Sequence, residues 1–167
     1  MFNVAPAVNP RSQVKSSTCW LSALEMMFDW KYKRGYNYDY SAEILNKMDA
    51  SFYLNVEYIY KNGIAPGECR ETAKMLGLFA AGGSQTIPPD VLEDLLRRKG
   101  PVWISGRWLP NSSHAVVITG CEAATGKIKY IDPLKNFTLT DSDGSTTWLD
   151  NRGPAWTNCD AGLMYWM

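Results

Sequence analysis

The spacing of apolar positions divides this chain into two stretches of different period. Up to about residue 100 the spacing is helical. "CWLSALEMMFDW", residues 19–30, sets Trp20, Leu24, Met27 and Phe28 on one helical face, with Ser17 or Thr18 ahead of it as a cap. "SAEILNKM" predicts a short helix. "NVEYIYKNG" predicts one that starts at an Asn55 cap and stops at Gly63, and "GECRETAKMLG" one that stops at Gly77. "IPPDVLEDLLRRKGP" carries every terminal signal at once. It has prolines at its start, acids in its first turn, Arg97, Arg98 and Lys99 in its last, and then Gly100 and Pro101.

Beyond residue 100 the period shortens. "PVWISGRW", "HAVVITGCE", "GKIKYID", "FTLTD", "STTWLD" and "GLMYWM" are short, β-branched and aromatic, and turn residues separate them. Runs of helices followed by runs of strands predict an α+β fold with an antiparallel sheet. The expectation is a single domain over residues 1–167, with a helical half at about 13–100, a sheet half at about 101–167 and an active site between them.

Composition narrows the function. The 167 residues suit one domain with a real core, and an apolar fraction of 46% with 20% charged is that of a globular protein. Seventeen basic and seventeen acidic residues cancel, which argues against nucleic acid or a membrane surface as partner. No apolar run is long enough to span a bilayer, and "MFNVAPAVNPRSQVK" has no apolar signal-peptide core. The expected localisation is therefore cytoplasmic, or secreted or delivered into a target cell by a dedicated machine or an upstream segment. Twenty-one aromatic residues imply either a heavily aromatic core or a cleft lined with rings. Cys19, Cys69, Cys121 and Cys159 are scattered, without C-x-x-C spacing, so reduced thiols are expected rather than a disulfide framework or a metal site.

Three local patterns fail on inspection. "GCEAATGKI" has one residue too many between its glycines for a phosphate loop and reads as a hairpin turn. "DSDGS" at 141–145 lacks the glutamate of a calcium loop, and "SDGS" reads as a tight hairpin. Asn111 and Asn136 head glycosylation sequons that matter only in a glycosylating pathway. No cofactor is expected.

The chemistry gathers around Cys19 and the chain's single histidine, His114, which opens "HAVVITG". A histidine standing alone is usually structural. His114, however, follows the loop "LPNSS", and eighteen residues on Asp132 ends the next strand in "YIDPL". If "CEAATG" turns the chain, Asp132 returns to the same end of the sheet and can hold the ring. Cys19 stands at a helix start, where a thiolate is stabilised. An ordinary thiol ionises at about pH 8.5, whereas a helix N-terminus and an imidazolium together bring such a group to roughly 3.5–7.5. A Cys/His pair of this kind attacks acyl carbons and protonates the leaving amine, with an acid orienting the ring. The oxyanion needs donors, for which the Cys19 N–H and the amide of Gln13, six residues earlier, are candidates. Alone, Gln13 would read as an exposed loop residue.

Gln13, "CW" opening a helix, "HAVVITG" and "IDP" together resemble the papain-like cysteine proteases. The likeness is strongest to the short bacterial kind, which includes a plant-pathogen effector protease group and the peptidases that trim bacteriocin leaders. "RRKGPVWISGRWLPNSSHAVVITG" and the final "GLMYWM" are similar to the effector group. The likeness spans residues 13–133 and the last strand, while 31–85 carry no recognisable motif. It implies the papain fold, with Cys19 as nucleophile, His114 as general base and acid, Asp132 as orienting residue and Gln13 in the oxyanion hole. Papain has Asn at the place of Asp132, whereas bacterial relatives often carry Asp.

The expected function is a thiol endopeptidase, a bacterial secreted effector or toxin acting on a protein or peptide substrate and held in check by an inhibitory immunity protein. Two alternatives stay open: an amide hydrolase acting on peptidoglycan or deamidating a target protein, and an inactive papain-like binding module. Trp108 and Asn111, near the histidine loop, are the candidate substrate contacts. Trp20 is expected in the core, and Cys69, Cys121 and Cys159 as small buried hydrophobes.

Overall fold

A computed structural model describes residues 1–81, 87–109, 112–134, 142–145 and 162–167, with residues 107–109, 112–113 and 142–145 given by backbone alone. In chain order the elements are β1 (Phe2–Asn3), α1 (Cys19–Tyr32), α2 (Tyr40–Asp49), α3 (Val56–Asn62), a 3-10 turn (Pro66–Glu68), α4 (Cys69–Leu76), β2 (Leu78–Ala81), α5 (Pro89–Lys99), β3 (Val102–Leu109), β4 (Ser112–Glu122), β5 (Lys127–Ile131), β6 (Ser142–Ser145) and β7 (Leu163–Trp166). The α+β expectation holds.

Local signals account for most helix ends. Asp39 caps α2 by accepting the Ala42 N–H at 2.9 Å, and Asn55 caps α3 by accepting that of Tyr58 at 3.1 Å. Ahead of α4, Glu68 reaches back to the Ala65 N–H at 2.6 Å. Helices α3, α4 and α5 stop at Gly63, Gly77 and Gly100, as their glycines predict.

Helix α1 departs from its prediction. Its burial is not confined to one face: Cys19, Leu21, Ser22, Ala23, Met26 and Asp29 are buried along with Trp20, Leu24, Met27 and Phe28. A helix apolar on most sides is one enclosed by others. It lies between the sheet and helix α2, and its residues share one core with Ile44 and Met48 of α2, Ala73 and Leu76 of α4, and Trp103, Val117 and Met164 of the sheet. Part of the aromatic surplus goes into this core, where Trp20, Trp103, Phe28 and Tyr40 are fully buried, while Tyr36, Phe52, Tyr53 and Tyr58 are exposed.

The sheet is antiparallel, in the order β2-β7-β3-β4-β5-β6, with β1 pairing to the far end of β4. Strand alternation sends Trp103, Ala115 and Val117 towards α1, and Val102, Ile104, Val116 and Ile118 into a second core closed by Leu92 and Leu96 of α5. Helix α5 therefore covers the face opposite the other helices. Strand β2, from the half expected to be helical, and β1, ahead of it, belong to the same sheet. The chain layers as helices, sheet and one helix, and does not divide cleanly at residue 100.

Two strand-level readings have separate outcomes. Residues 123–126 make the expected turn between β4 and β5, closed by the Gly126 N–H on the Glu122 carbonyl at 2.8 Å. "SDGS" is not a hairpin turn. It is strand β6, paired with β5 from Ser142↔Tyr130 to Ser145↔Lys127. Pairing to the open edge of β5 outweighs the poor strand propensity of Asp and Gly. "FTLTD" up to Asp141 and "STTWLD" beyond Ser145 lie outside the described residues.

Trp30 packs against both cores and lies across Gly100. Gly100 has φ +85°, and a Cβ there would sit 2.2 Å from Trp30 Cη2. Gly100→Ala should thus combine backbone strain with an overlap against a rigid ring, at about 2–4 kcal/mol. Thermal denaturation should show Tm lower by roughly 5–15 °C for Gly100→Ala. Gly67→Ala, exposed and with open space at its Cβ position, should stay within about 2 °C of the parent.

Candidate active site

Cys19 is the first residue of α1, as its position in the sequence predicts. The expected cap does not form: Thr18 occupies the N-cap position but makes no side-chain cap bond. Its hydroxyl instead turns back on Lys15, donating to the Lys15 carbonyl at 3.0 Å and accepting the Lys15 N–H at 3.1 Å. The 15–18 turn that results leads straight into Cys19. No side-chain oxygen of Thr18 occupies the helix N-terminus, so its N–H groups and positive dipole end remain available to an anion.

His114 lies on β4, opposite Gly106 of β3, and Asp132 directly follows β5. The strand register brings them together as the turn at 123–126 predicts. His114 Nε2 donates to Asp132 Oδ1 at 2.6 Å, and the same oxygen accepts the Leu134 N–H at 2.9 Å. The carboxylate is thus fixed from two sides. The Cys19 side chain hydrogen-bonds the same histidine. With Nε2 taken by Asp132, Nδ1 is the ring nitrogen left for sulfur.

Burial alone would push the His114 pKa down, since it disfavours the charged ring. The hydrogen bonds to Asp132 and Cys19, and the charges of both partners, outweigh it and raise the value from 6.5 to about 9. At neutral pH the ring is an imidazolium. Because the folded value exceeds the unfolded one, the pairing stabilises the fold fully below about pH 6.5. That contribution is lost as pH rises through about 9.

Gln13 comes to the same end of the sheet. Its N–H donates to the carbonyl of Pro133, next to Asp132, at 3.0 Å, and its Nε2 donates to the Lys15 carbonyl at 2.8 Å. An amide nitrogen carries two N–H groups, so the bond to Lys15 fixes the plane and leaves a second donor. Four residues from three distant stretches of chain therefore converge at the start of α1.

A family model described as the papain-like cysteine protease AvrRpt2 matches residues 4–142. The chain belongs to this family. It is a papain-like cysteine peptidase, and the match includes residues 31–85, where the sequence offered no motif. Among curated proteins, none matches.

Other residues of this papain-like peptidase take quieter places. Trp20 is buried in the core, and its carbonyl accepts the Trp103 indole N–H at 3.2 Å, tying α1 to β3 beside Cys19. Cys69 and Cys121 are buried, and burial first of all pushes the Cys121 thiol up to about 11. Cys159 lies outside the described residues. So do Asn111 and the side chain of Trp108, whose backbone belongs to β3. Among the described residues no three His, Cys, Asp or Glu side chains cluster to hold a metal ion, and no helix is long and apolar enough to cross a membrane.

Sequence reasoning missed what holds Gln13. The Pro133 and Lys15 carbonyls are backbone groups and leave no trace in residue identity.

A single histidine makes the site easy to titrate. The His114 ring resonance should move with pH about a midpoint near 9 in NMR spectra. Asp132→Asn and Cys19→Ala should each bring the midpoint down, because each removes a partner that favours the charged ring. A midpoint near 6.5 in the parent would contradict the pairing.

Proposed function

We propose that the chain is a thiol endopeptidase in which Cys19 is the nucleophile, His114 the general acid and base, Asp132 the orienting residue and Gln13 an oxyanion donor. The observation that carries this reading is the hydrogen bond from His114 to Asp132 at 2.6 Å, on a ring that also bonds the Cys19 side chain at a helix N-terminus. Residues 1–167 act as one domain, since helices and strands share one central sheet.

The steps follow from the groups present. The Cys19 sulfur attacks the carbonyl carbon of the scissile amide, with His114 taking up the thiol proton. The C–N bond breaks as the imidazolium gives a proton to the leaving amine, leaving a thioester on Cys19. Neutral His114 then takes a proton from water, which attacks the thioester and releases the acid and the thiol. In both steps the carbonyl oxygen turns negative beside the Cys19 N–H and the second N–H of Gln13. Asp132 is an anion where papain has a neutral Asn, which favours the imidazolium more strongly.

The resemblance to the plant-pathogen effector group supports a role as a bacterial effector or toxin delivered to another cell, with protein or peptide substrates and an inhibitory immunity protein over the cleft.

The test is mass spectrometry of a proteome-derived peptide mixture incubated with parent protein or Cys19→Ala. New peptide termini should arise with the parent alone. Conversion of Gln to Glu without new termini would make the chain a deamidase instead. Iodoacetamide near pH 6 should label Cys19 well ahead of Cys69, Cys121 and Cys159, and His114→Ala should slow that labelling. Gln13→Ala should lower kcat by roughly 10²–10³-fold with little change in KM. It should leave labelling of Cys19 intact, because alkylation forms no oxyanion.

A further inference from the structure

Gln13 is held by more than its own bonds. The segment before it, residues 9–13, runs along a single stripe of α1 towards the helix N-terminus. Asn9 Nδ2 donates to Asp29 Oδ2 at 2.8 Å. Arg11 pairs with Asp29 at 3.9 Å, and the Ser12 carbonyl accepts the Ser22 hydroxyl at 3.4 Å. Residues 29, 25 and 22 share one side of a helix, and Cys19 lies one turn further on. The stripe thus leads from Asp29 to the nucleophile.

Arg11 is the centre of this attachment. Its guanidinium stands over the Tyr36 ring at 5.0 Å and the Tyr40 ring at 5.2 Å. One Nη donates to the Tyr36 carbonyl at 3.0 Å. Asp29 is buried and takes a further hydrogen bond from the Tyr40 hydroxyl. Glu25, one turn along, also interacts with Arg11: burial raises its pKa, and Arg11 followed by a bond from Ser41 opposes that. A planar cation between two rings and two carboxylates has few alternative positions. Two residues of chain reach at most about 7 Å, so a shift of Arg11 is passed to Gln13 with little slack.

We infer that Arg11, clamped by Asp29, Tyr36 and Tyr40, is a positioning residue that sets the Gln13 amide for the oxyanion. It touches neither substrate nor Cys19 and acts through the backbone of residues 11–13. This rests on the oxyanion role assigned to Gln13 above. A displacement of about an ångström at a reacting group costs up to about 10²-fold in rate.

The experiment is a double-mutant cycle between Arg11 and Gln13, followed with p-nitrophenyl acetate, an ester whose hydrolysis forms the same oxyanion without demanding a peptide sequence. Arg11→Gln should lower kcat about 10–10²-fold with KM little changed. It should leave iodoacetamide labelling of Cys19 and the His114 titration as in the parent. In a Gln13→Ala background the same substitution should cost almost nothing more. Tyr36→Leu, at an exposed position that tolerates change, gives the same reading should Arg11→Gln fail to fold: a loss of a few-fold that vanishes in Gln13→Ala. Losses that multiply in the double variants, or slowed Cys19 labelling in Arg11→Gln, would overturn the positioning role while Gln13→Ala alone still reports its own. Full turnover in Gln13→Ala would overturn both.

Discussion

The packing of α1 on β4 and its neighbours is the constraint on which the rest depends. Helix α1 packs on the sheet on one side and on α2 on the other, and Trp103 Nε1 donates to the Trp20 carbonyl one residue from Cys19. Cys19 and His114 lie 95 positions apart in sequence, so only this packing brings them together. Burial of Trp20, Leu24 and Val117 sets the height of the helix over the sheet. Its N-terminal turn then falls at the end of β4 where His114 begins. A core of large, fully buried side chains tolerates little displacement, and that rigidity is what a reacting geometry requires.

The second core answers a consequence of the first. Strands β3 and β4 point Val102, Ile104, Val116 and Ile118 away from α1, and an open apolar face of that size would not remain bare. Helix α5 closes it with Leu92 and Leu96, and its Arg98–Asp94 pair lies on the exposed side. Gly100 then turns the chain from α5 into β3 directly beneath Trp30. The loop that joins α5 to the sheet is thereby pinned to the C-terminal end of α1, while the N-terminal end of α1 carries Cys19.

Legibility in the sequence followed how local each cause was. The stops at Gly63, Gly77 and Gly100, the cap at Asn55, the proline start of α5 and the turn between β4 and β5 are set within a few residues, and all could be read. The pairing of His114 with Asp132 could be read because a short turn fixes register. Strand β6 could not, since "DSDGS" has turn composition and becomes a strand only through β5. The side of the sheet that α5 covers was also hidden, because an amphipathic helix records that it has a buried face but not which surface it meets. At the site, residue types marked Cys19, His114, Asp132 and Gln13, whereas the carbonyls of Lys15 and Pro133 that hold Gln13 could only be seen in the fold.

Thr18 stands where these constraints meet. A capping hydroxyl at the start of α1 would stabilise the helix by about 1 kcal/mol. Thr18 has such a hydroxyl and spends it on Lys15. The helix forms without it because tertiary burial, not capping, supplies most of its stability. Two effects follow at one place. The turn at 15–18 holds the Lys15 carbonyl that orients the Gln13 amide, and the N–H groups of the first turn are left to an anion. A local preference is overridden at the helix end that carries Cys19.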